Sequence, residues 1–114
     1  MSPVGSWRVT VARPAGPSVA VLCLAPDGRA TLAGGTTGTG TWTSTGPDRF
    51  GYRLAEPIVD AAGTVTGWVH IEQRAVLAGD TFTSEGVTVV CDAGGEPAYR
   101  TPVAVTGTSL ESAA

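Results

Sequence analysis

Short turn signals cut this chain at a steady interval: Pro14-Ala15-Gly16-Pro17, Pro26-Asp27-Gly28, Gly46-Pro47-Asp48, Asp60-Ala61-Ala62-Gly63, Ala78-Gly79-Asp80 and Asp92-Ala93-Gly94-Gly95. Between them lie stretches rich in Val, Thr, Trp, Phe and Tyr, in which apolar and polar residues alternate. That is the pattern of half-buried antiparallel strands joined by tight turns. No stretch of useful length carries a 3.6-residue apolar period, so no significant helix is predicted. Eight strands are predicted, over residues 6–12, 18–25, 29–33, 41–45, 49–59, 64–77, 81–92 and 98–108. A chain of 114 residues makes one domain, 1–114, ordered from 5 to about 108 with a frayed tail over 109–114. Strands this few and short are best stabilised by a sheet that closes on itself, because closure removes open edges. The predicted fold is therefore all-β, a single eight-stranded antiparallel up-and-down barrel. Pro102 falls in the last strand, which suits an edge or a bulge.

The charges exclude several functions. All seven basic residues are arginines, scattered singly, and the net charge is −3, so there is no basic patch for nucleic acid. The N-terminus does not read as a secretory signal, and no apolar run approaches the about 20 residues of a spanning helix. A cytoplasmic protein with no membrane partner is expected. Cys23 and Cys91 are expected as free thiols, and with the single His70 they cannot make a structural zinc site. The run Gly34-Gly35-Thr36-Thr37-Gly38 lacks the lysine and helix of a phosphate-binding loop. No metal and no cofactor is predicted; a homodimer remains open.

The alternation assigns faces. Trp7, Val9 and Val11 share one side of the first strand. On 64–77, the set Val65, Gly67, Val69, Ile71, Gln73, Ala75 and Leu77 is the better inward face, since the other carries His70, Glu72 and Arg74; a one-residue slip at Gly67 would reverse this. Trp42, Phe50, Tyr52 and Phe82 are expected inside, as core filling or as a ligand wall together with Leu54 and Ile71. Ser44, Ser84, Gly86, Thr88 and Ala104 would leave volume open if they share that interior. Glu56, on the face of Phe50, Tyr52, Leu54 and Ile58, could act as a general acid or base, or stand in water at the barrel mouth. Tyr52 could donate a hydrogen bond to a substrate carbonyl, and Gln73 needs a partner if buried.

Gly5-Ser6-Trp7 resembles the Gly-X-Trp element of the lipocalins and the wider calycin superfamily. Gly40-Thr41-Trp42, Arg49-Phe50-Gly51-Tyr52 and Gly79-Asp80-Thr81-Phe82-Thr83 are similar to stretches of small bacterial lipocalin-like barrels. The resemblance spans 5 to about 108. It implies an up-and-down barrel whose floor the Trp closes and whose interior takes a hydrophobic small molecule. Small bacterial barrels of this kind include cofactor-free cyclases of natural-product pathways, and this chain is similar to them in size. The expected function is such a cyclase, closing a ring in a polyene or polyketide by confinement and hydrogen bonding, with Tyr52, Glu56 and Gln73 as catalytic candidates. The alternative is a non-catalytic lipocalin-like carrier or a sequestering self-resistance protein.

Overall fold

The computed structural model describes residues 2–12, 16–34 and 37–110; most of the expected tail lies outside them. Eight strands follow in chain order: β1 (Gly5–Val11), β2 (Ser18–Leu24), β3 (Arg29–Ala33), β4 (Gly38–Gly46), β5 (Arg49–Val59), β6 (Val65–Ala78), β7 (Thr81–Asp92) and β8 (Pro97–Ser109). Each pairs antiparallel with the next, and β8 returns to β1, closing the barrel. The predicted fold class is borne out. So is the chosen face of β6: Gln73, Ala75 and Leu77 are buried, while Trp68, His70, Glu72 and Arg74 are exposed. Exposed charges on neighbouring strands meet there, as in the Arg53–Glu72 pair at 3.7 Å, an interaction worth little in water.

The strands differ in length, and that gives the barrel two unlike ends. At one end, near the chain termini, Trp7, Phe50 and Phe82 fill the interior. Phe82 meets Trp7 edge-on at 5.1 Å between ring centroids and Phe50 edge-on at 5.4 Å, geometries that the ring quadrupoles favour. The Trp7 indole N–H donates to the Pro3 carbonyl at 2.8 Å, so its polar edge is satisfied as its rings close this floor. Gly107 pairs with Phe82 on β8, and a Cβ placed there would lie 2.1 Å from the Phe82 ring. The absent side chain is the space that the ring occupies.

At the other end, β1 pairs with β8 only as far as Val11↔Val105, and β4 with β5 only as far as Thr39↔Ala55. Beyond those levels β5, β6, β7 and β8 continue alone, paired with one another out to Val59↔Val65 and Cys91↔Pro97. The closed barrel thus opens into a four-stranded shelf. Pro57 lies on its β5 border, and Pro97 and Pro102 on its β8 border. Proline offers no amide N–H to an incoming strand, which blunts an open edge.

Candidate functional site

Above the aromatic floor lies an apolar cavity of about 20 Å³. Val9, Val11, Leu22 and Leu32 form one wall, from β1 to β3; Leu54, Ile71, Val103 and Val105 form the other, and Tyr52 and Thr88 also line it. A volume of that size admits one water-sized body, so the resting barrel is close to packed. β3 is the shortest strand and joins each neighbour through only four residue pairs, which makes it the wall that yields most easily.

Beside the cavity a buried hydrogen-bond relay crosses the barrel. The Ser84 hydroxyl donates to Gln73 Oε1 at 2.9 Å, and Gln73 Nε2 donates to the Val103 carbonyl at 3.1 Å. Ser84 has one proton, so at 3.2 Å the Tyr52 hydroxyl donates to Ser84 Oγ. Burial pushes the Tyr52 phenol up to about 12, against the smaller opposite pull of the Ser84 hydrogen bond. Among the described residues, no buried side-chain nitrogen or oxygen lacks a partner.

The raised Tyr52 value implies a measurable loss of stability in alkali. The neutral phenol is the form the fold favours, so this contribution is complete below pH 10, the unfolded value, and disappears as pH rises towards about 12. Two pH steps amount to roughly 2–3 kcal/mol. The chain has no lysine to titrate in the same window. Urea unfolding at pH 9 and pH 12 should show this drop in the parent and a smaller one in Tyr52→Phe; equal drops would contradict it.

The structure brings some of the sequence candidates together and separates others. Tyr52, Leu54 and Ile71 line the cavity, with Gln73 in the relay beside it. Phe50 and Phe82 belong to the solid floor. Trp42 is half-buried, packs against the core and donates its indole N–H to the Ala25 carbonyl at 2.7 Å, fastening the β2–β3 turn. Glu56 is 9 % exposed and lies one inward position beyond Leu54 towards the shelf, its side chain against Gly38. Of the small residues expected to leave volume, Ser44 and Ala104 are exposed. Gly86 leaves none either: a Cβ there would lie 1.9 Å from the Glu72 carbonyl oxygen, so the adjacent strand has moved into the space. Ser84, expected only as a small lining residue, is the centre of the relay; a serine two positions from Phe82 on an inward face was the available signal. Cys23 and Cys91 are free, and no group of three or more potential metal ligands occurs among the described residues. No protein-family model, curated protein or solved structure matches this chain.

Proposed function

We propose that the barrel binds a slender hydrophobic small molecule, entering from the shelf end and lodging in the cavity above Tyr52. The observation that carries this is the asymmetry of the interior. One half is filled by interlocked aromatic rings, while the other is lined by aliphatic side chains around residual space and leads to the shelf. Non-catalytic carriage or sequestration is the better-supported form of this function. Tyr52, Ser84 and Gln73 satisfy one another and the β8 backbone, so none is held ready for a substrate carbonyl.

The cofactor-free cyclase is the second reading, favoured by one feature: Tyr52 lines the cavity and carries a neutral phenol. A substrate carbonyl could take the Tyr52 proton in place of Ser84, and confinement would supply most of the rate. A lipocalin-like family membership fits either reading.

Native mass spectrometry of the protein incubated with a cell lipid extract tests the proposal. A bound species of unchanged mass and structure is expected; a released isomer would favour the cyclase. Val103→Phe, which fills the cavity, should weaken binding by at least about tenfold. Binding undiminished by that change would remove the cavity from consideration.

A further inference from the structure

Resting on the cavity reading, the next question is which polar group such a ligand carries, and the answer lies where the cavity meets the shelf. The inward positions there run in ranks across four strands. Leu54, Ile71, Thr88 and Thr101 form the rank at the cavity's upper margin. Glu56, Val69, Val90 and Tyr99 form the next, about 14 Å across at the spacing of neighbouring strands. A chain lodged against Leu54 and Ile71 places its head at this second rank.

We infer that the site is selective for an amphiphile with a cationic, amine-type head, the head taken by Glu56 and flanked by the Tyr99 ring. Three observations converge. The Glu56 carboxylate is 9 % exposed and stands directly beyond an apolar cavity, where poorly solvated charge acts strongly. Tyr99 is 61 % exposed yet occupies an inward register position at the far end of the same rank, an aromatic face of the kind that attracts ammonium groups. The hairpin tips around the opening carry Asp60, Asp92 and Glu96, while the nearest described cationic side chain in this sheet, Arg100, pairs in register with Val89 on the outer face. An anionic head would meet only like charge here, and a neutral head would use none of these groups.

Three probes of equal tail length separate the possibilities: octylamine, octanol and octanoate, titrated at pH 7 with the Leu54 and Ile71 methyl resonances as the readout of tail position. Octylamine should bind at least about tenfold more tightly than octanoate, with octanol between. In Glu56→Gln the spread should contract to within about threefold. Tyr99→Ser, at an exposed position that does not endanger the fold, should weaken octylamine and leave octanoate as it was. Octanoate binding as well as octylamine in the parent, or an undiminished spread in Glu56→Gln, would overturn this inference while leaving the cavity reading intact. Absence of binding by all three would overturn both.

Discussion

Phe82→Ala is expected to cost about 3–5 kcal/mol of folding stability, the range for removing a fully buried aromatic ring. Phe82 is 1 % exposed and meets the rings of Trp7, Phe50 and Tyr52. The surrounding strands are tied into a closed ladder on both sides, so the hole cannot collapse as it could under a loop. Set against a total of about 5–15 kcal/mol for a domain of this size, such a loss brings the protein close to unfolding at room temperature. A partner experiment isolates the cause. Gly107→Ala puts a methyl group where the Phe82 ring lies, so it should cost about 1–3 kcal/mol by overpacking. In the Phe82→Leu background that penalty should shrink by more than half, since the ring edge it strikes is gone. Urea unfolding of the four proteins gives the coupling directly. Additive effects would mean that Gly107 is glycine for some reason other than Phe82.

The same pair of residues marks the boundary of what the sequence made legible. Alternation reveals which face of a strand points inward, because side chains change sides at every residue. That is why eight strands, and the inward face of β6 in particular, were recoverable from Val69, Ile71, Gln73, Ala75 and Leu77 alone. Height along the barrel axis is a different quantity. It depends on which residue of one strand lies opposite which residue of the next, and alternation is silent about that. Phe50, Phe82 and Leu54 all read as inward, yet the first two fill the floor while the third lines the cavity. Only the pairing of Phe82 with Gly107, and of Leu54 with Ile71, separates them.

Small residues misled for a related reason. Gly86 in an inward phase reads as missing volume, whereas the structure brings the β6 backbone up against it, as barrel curvature requires of some strand. Ala104 reads as interior only if β8 is taken in the wrong phase; Val105 and Gly107 are buried, so Ala104 faces out. The chemistry of the site was legible residue by residue and illegible as an arrangement. Tyr52 and Gln73 stood out as polar groups on apolar faces, but the link between them is Ser84, which no spacing along the chain could name.

That link supports the second large effect. Gln73→Leu should destabilise the protein by about 2–4 kcal/mol, because two buried groups lose their partners at once. The Ser84 hydroxyl loses the acceptor it holds at 2.9 Å, and the Val103 carbonyl loses the Nε2 donor at 3.1 Å. Leucine matches the volume of Gln73, which is 1 % exposed, so packing does not account for the loss. Ser84→Ala should act in the same direction by stranding the Tyr52 hydroxyl and Gln73 Oε1. The combined variant Tyr52→Phe, Gln73→Leu, Ser84→Ala should recover at least half of the loss seen in Gln73→Leu, because it removes the stranded side-chain groups and leaves an apolar layer. Urea midpoints of the single and combined variants decide the matter. If the triple variant is instead less stable than each single one by their sum, the relay stabilises the fold as separate contacts and not as a mutually satisfied unit. Such additivity would also weaken the argument that these groups are unavailable to a substrate, since independent contacts can be surrendered one at a time. The stability of the relay and the choice between carrier and cyclase therefore turn on the same three side chains.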